Sequence, residues 1–126
     1  MKPLATAQCE ACDINAKSLT EAEINKLLIP ISDWQLVIES SIQKLRRIFI
    51  TKNYIQSMHF TNAIAEIAEK ENHHPHLIVE YSSVTVTWWS HKIKGLHKND
   101  FIMAAKTNEL FIPVINVDKL TSNPKK

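Results

Sequence analysis

Glu69–Tyr81 reads EKENHHPHLIVEY and joins a helical pattern upstream to a strand pattern downstream. Pro75 decides where the first ends. Proline has no N–H to donate, and it disfavours helical geometry in the residue before it, so a helix arriving from upstream stops near Asn72–His74. Beyond it Leu77, Val79 and Tyr81 alternate with more polar neighbours, the period of a half-buried strand. Two adjacent histidines therefore close a helix at an α-to-β junction.

Upstream, Asn53 is a cap with Gln56 three residues on, and Tyr54, Met58, Ile64, Ala65 and Ala68 recur at spacings of three and four, a stripe expected to lie on a sheet. Before it, WQLVIE at 34–39 and IQKLRRIFI at 42–50 flank Ser40–Ser41 and read as an antiparallel hairpin. Thr20 and Glu23 have the form of a capping box, opening a helix over about 21–28 that Pro30 bounds. Downstream, Val84, Val86 and Trp88 alternate with Thr85, Thr87 and Trp89 to make a second hairpin. Gly95, the one glycine of the chain, is expected to supply a positive φ in the connection HKIKGLH. A last helix follows from about Lys98 to Leu110 with Phe101, Ile102, Ala105 and Leu110 as apolar positions. Pro113 is expected to end dependable order.

The order α-β-β-α-β-β-α describes an α+β domain: a four-stranded antiparallel sheet with three helices packed on one face. The sequence divides into a flexible arm (residues 1–17), one domain (18–113) and a tail (114–126). With 126 residues, 44% apolar and 22% charged, one core of ordinary composition is expected. The net charge of +2 is scattered and gives nucleic-acid binding no support. MKPLATAQCE lacks the apolar run of a signal peptide, and nothing approaches the roughly 20 apolar residues of a membrane span. A cytoplasmic protein is expected. Cys9 and Cys12 are too few for a disulfide framework.

His73 and His74 close the second helix and His91 closes the fourth strand, so folding back the sheet could bring all three to one end. Three histidines raise zinc first. Adjacent helical positions, however, point about 100° apart, whereas helix-borne zinc pairs are spaced i, i+4. Histidine also titrates near neutrality, which suits a group that gives and takes a proton in one turnover. Glu69 precedes His73 by a turn and is placed to reach its ring or a substrate edge, so it is a candidate for substrate binding. Asp100 reads as a structural acid in the first turn of the last helix. An outward tryptophan of the Trp88–Trp89 pair would make a platform for a flat ring. Cys9-x-x-Cys12 has redox or metal spacing, but no second pair accompanies it.

Glu69-x-x-x-His73-His74-Pro75, five residues to Tyr81, nine more to His91 and eight more to Asp100 resembles the complete motif of the pterin-4a-carbinolamine dehydratases. The likeness runs from about Thr20 to Leu110. It includes SDW at 32–34 and the block VTVTWWSHKIKGLHKNDFIMAAKT, which is similar to bacterial members, as is the CEAC arm. The resemblance implies dehydration of 4a-hydroxytetrahydrobiopterin or a related pterin, recycling the cofactor of an aromatic amino-acid hydroxylase, with no metal, nucleophile or bound cofactor. It makes His73, His74 and His91 the catalytic and pterin-binding trio, supported by Glu69, with Trp34 lining the pocket and Pro75 fixing the turn. Tyr81, Gly95 and Asp100 are left as structural positions. His97 stands where members carry a serine or threonine cap, which puts that cap in doubt. A homodimer or homotetramer is implied. Animal members also serve as dimerisation cofactors of a homeodomain transcription factor, so a non-catalytic binding module is the rival. A zinc protein using the histidines with Cys9 and Cys12 is the other.

Overall fold

The structure, a computed structural model, describes residues 4–6 and 19–120, with side chains as far as 115. Cys9, Cys12 and the end of the tail lie outside the described residues. The elements are α1 (Glu21–Leu28), β1 (Gln35–Glu39), β2 (Ile42–Ile50), α2 (Tyr54–Glu71), β3 (His76–Glu80), β4 (Ser83–Trp88) and α3 (Lys98–Leu120). This is the expected order. The sheet runs β1-β2-β4-β3 with every pair antiparallel, so two hairpins meet along β2 and β4. Ser40 and Ser41 both take positive φ, as the tightest hairpin turns require. The Thr20 capping box is also present, its hydroxyl and the Glu23 carboxylate exchanging bonds with each other's amides.

Register sorts the side chains. Leu45 faces Trp88 and Phe49 faces Val84 on the buried side, while Ile48 faces Thr85 on the other. Leu45, Phe49, Val84 and Trp88 are buried, whereas Ile48, Ile50 and Ile78 on the outer face are exposed. Phe49 of β2, Phe60 of α2 and Phe111 of α3 meet with ring centroids 4.7–5.0 Å apart and lock the three elements together. No helix among the described residues is long and apolar enough to cross a membrane.

Two expectations about helices are corrected. The buried stripe of α2 is Ser57, Phe60, Ile64 and Ala68; Tyr54 and Ala65 face solvent and Met58 is half-buried. Phe60, at the centre of the aromatic cluster, sets the phase. The last helix does not stop before Pro113 but continues to Leu120. Proline crowds the Glu109 carbonyl oxygen and removes its helical bond. Glu109 and Pro113 are both exposed, so water can replace it, and Gln56 Nε2 donates to the Val114 carbonyl at 3.3 Å just beyond. Within the segment read as an arm, Leu4–Thr6 form a short turn whose Ala5 carbonyl accepts from Lys106 Nζ at 2.9 Å.

Candidate active site

The site begins at the end of α2. Asn72 adopts the left-handed conformation (φ 53°, ψ 43°), its N–H bonds to the Glu69 carbonyl, and the His73 N–H returns to Ala68 at 3.0 Å. These are the two bonds of a Schellman motif with asparagine in glycine's usual place. Asn72→Ala is therefore expected to lower stability by about 1–2 kcal/mol, the cost of a left-handed residue with an ordinary Cβ, while Asn72→Gly loses nothing. Urea unfolding of the two variants checks this, and equal midpoints would contradict it.

The motif carries His73 out of the helix and under the core. Its ring stacks on Trp88 with centroids 5.7 Å apart and planes 5° from parallel. Nε2 lies 2.6 Å from Oδ1 of Asp100, a carboxylate with 0% exposure. Oδ2 of Asp100 accepts from Ser90 Oγ at 2.8 Å and from the His97 N–H at 2.9 Å. Asp100 is thus the helix-start acid that was expected, and it also holds a histidine. The His97 ring takes the missing serine's part, with Nδ1 accepting from the Asn99 N–H at 3.0 Å.

His74 is exposed, and its Nε2 meets Oε2 of Glu69 at 2.5 Å. Glu69 was expected to reach His73. The left-handed turn at Asn72 directs the first histidine inward and leaves the second for the glutamate. His91 opens the turn over residues 91–94, closed by paired backbone bonds between Ser90 and Gly95 of 2.9 and 3.4 Å. Its ring lies 4.4 Å from that of Trp89. Trp89 also contacts His76 at 6.5 Å and carries Lys44 Nζ 4.1 Å over its ring, so it braces His91 instead of presenting a bare platform. Lys44 is held in turn by Glu39, whose carboxyl is pulled down to about 2 by hydrogen bonds from Arg46 and then Lys44.

The carboxylate of Asp100 joins His73 to Ser90, the neighbour of His91, while His74 follows His73 directly. All three histidines therefore gather at one end of the sheet. Trp34 lies in the core. It is 4% exposed, packs edge-on to Phe49 and donates Nε1 to Asn108 at 2.8 Å, because an indole needs both apolar cover and an acceptor and the core supplies both. Tyr81 is mostly exposed, its structural part being the carbonyl that accepts from Ser57 Oγ. Gly95 does not turn the chain: Lys94 takes the positive φ, and glycine is buried against Ser90, where it lacks a Cβ to obstruct the bridge. Ser90 and His76 escaped the sequence reading, for nothing in their spacing marks a hydroxyl or a strand histidine as part of a site.

Elsewhere, a cleft of about 310 Å³ is lined by Asp33, Gln35, Arg46, Arg47 and Ile48. Its guanidinium groups are engaged within the protein, Arg46 by Glu39 and Thr87, Arg47 by Asn108. Among the described residues, no group of three or more His, Cys, Asp or Glu converges to hold a metal ion.

A histidine backed by a buried carboxylate, with two more at the same end, is equipped to move protons. Comparison with known proteins gives the family. Residues 17–110 match the family model for pterin 4 alpha carbinolamine dehydratase. A Nitrosococcus oceani protein assigned as a pterin-4-alpha-carbinolamine dehydratase is 50% identical over 87% of this chain and 97% of its own. A Marinobacter nauticus protein with the same assignment is 47% identical over 88% and 100%. The crystal structure of a transcriptional coactivator/pterin dehydratase from Brucella melitensis superposes with a TM-score of 0.69 at 33% identity, covering 75% of this chain and 98% of that one. With half of the 110 aligned residues identical to a relative matched over nearly its full length, and the family model matched over residues 17–110, this chain belongs to the pterin 4 alpha carbinolamine dehydratase family of hydro-lyases.

Proposed function

We propose that this protein dehydrates 4a-hydroxytetrahydrobiopterin, or a pterin like it, to the quinonoid dihydropterin by histidine acid/base catalysis, so recycling the cofactor of phenylalanine hydroxylase or another aromatic amino-acid hydroxylase. The observation that carries the reading is the single buried carboxylate that holds His73 and, through Ser90, the base of the His91 turn. In the reaction an acid delivers a proton to the C4a hydroxyl, the C–O bond breaks and water leaves. N5 gives its proton to a base, and its electron pair forms the C4a=N5 double bond. No redox change occurs, so proton-transfer groups suffice. His73 and His91 are the principal proton-transfer groups, and His74, backed by Glu69, positions the ring. His73 lies against Trp88 and His91 against Trp89, so two separate indoles hold the two proton-transfer groups.

The protein is expected to accelerate quinonoid dihydropterin formation in an assay coupled to a hydroxylase, and a rate no better than the spontaneous one defeats the reading. We assign it to the cytoplasm as a homodimer or homotetramer. Exposed Ile48, Ile50 and Ile78 on one sheet face support self-association, and a monomer mass by light scattering would remove that part alone.

A further inference from the structure

We propose that Asp100, together with Ser90, is a positioning residue that fixes His73 as the tautomer protonated on Nε2, making Nδ1 the atom through which His73 exchanges a proton with the substrate. The identity of the substrate rests on the dehydratase reading. The tautomer rests on the geometry alone.

The partners of the carboxylate settle which way the proton points. Oδ2 of Asp100 takes the Ser90 hydroxyl and the His97 amide, and the amide can only donate. Two donors on one oxygen, at the N-terminus of an α-helix, suit a carboxylate anion. An ionised carboxylate has no hydrogen to give. The remaining contact, Oδ1 to His73 Nε2 at 2.6 Å, is then an N–H donated by the ring.

The rest of the ring is equally constrained. Stacking on Trp88 fixes its plane, and the backbone bond from His73 to Ala68 fixes its root. Every side-chain nitrogen or oxygen sealed from solvent among the described residues has a hydrogen-bond partner. Nδ1 of His73 has no partner among the described residues, so it is not sealed from solvent. During turnover one proton arrives at or leaves Nδ1, the Nε2 proton stays between the ring and Asp100, and the carboxylate balances the imidazolium without accepting that proton. Ser90 keeps the carboxylate from rotating.

Long-range proton–nitrogen NMR of the ¹⁵N-labelled full chain reads the tautomer directly. His73 is expected to show a protonated Nε2 and an unprotonated Nδ1 at a pH where the ring is neutral. The opposite pattern in the wild-type protein overturns the proposal without any variant being needed. In Asp100→Asn the amide oxygen can serve the Ser90 and His97 donors while its NH₂ donates to Nε2. The tautomer should therefore move to Nδ1–H, and kcat should fall by about 10²-fold or more with KM little changed, as for loss of an acid/base group. Ser90→Ala should keep the tautomer and lower kcat by less. An Asp100→Asn variant that folds and retains both the Nε2–H tautomer and the wild-type kcat overturns the proposal. A wild-type protein with the expected tautomer but no dehydratase rate would defeat the functional reading and leave the positioning role standing.

Discussion

His73→Ala is expected to reduce kcat/KM by about 10²–10⁴-fold, or about 2.7–5.5 kcal/mol of transition-state stabilisation, if the ring supplies the usual share of an acid/base group. His91→Ala should fall in the same range. His74→Ala should act more on KM, because His74 is exposed and tied only to the exposed Glu69. The two large effects have different structural costs. Removing the His73 ring leaves Oδ1 of buried Asp100 without its partner, so about 1–3 kcal/mol of stability should go with it. His91 is exposed and rests mainly on Trp89, so its loss should leave the unfolding midpoint nearly unchanged. Activity must therefore be measured well below the unfolding transition of each variant. Rates within about threefold of wild type for both would defeat the assignment, since threefold lies far below the acid/base range.

Trp88→Ala is expected to be the most destabilising change near the site, costing about 3–5 kcal/mol through lost burial and the cavity left behind. Trp88 has no exposed surface, pairs with Leu45 across the sheet and donates Nε1 to Thr107 Oγ1 at 3.1 Å. Small domains hold only about 5–15 kcal/mol in total, so this is a large fraction. Trp88→Phe separates the two duties of the residue. It keeps a ring under His73 but drops the indole bond and part of the volume, and should cost less than half as much while retaining most of kcat. Urea unfolding with parallel kinetics decides the matter, and a loss below about 1 kcal/mol for Trp88→Ala would mean that the core there collapses freely, against the behaviour of well-packed interiors.

The fold was legible wherever local chemistry left one choice. Pro75 marked the end of α2, Ser40–Ser41 the turn between β1 and β2, and Thr20 with Glu23 the start of α1. The alternation of Val84, Val86 and Trp88 marked one face of β4 before its partners were known. What stayed hidden depended on contacts distant in sequence. Whether Pro113 ends a helix depends on whether the orphaned carbonyl meets water, and that requires knowing which side of α3 is exposed. The phase of α2 was set by Phe60, a residue that the spacing did not single out and that the rings of Phe49 and Phe111 claim. The three histidines could be picked out by their motif. That Glu69 serves His74, that Asp100 serves His73, and that Trp34 belongs to the core depend on how the left-handed Asn72 aims the chain and on Asn108 as a distant acceptor, contacts that no local pattern encodes.

The place of His73 just past the Schellman motif limits how α2 can change. An added or deleted residue anywhere in the helix would move its end by 1.5 Å and rotate it by about 100°, carrying the His73 ring away from both Trp88 and Asp100. The β3–β4 turn at Tyr81–Ser82, which lies at the far end of its hairpin, is under no such constraint and could lengthen without disturbing the site. Insertions tolerated in descendants of this chain should therefore collect at that turn and at the chain ends, while the eighteen residues of α2 keep their number even as their exposed faces change freely.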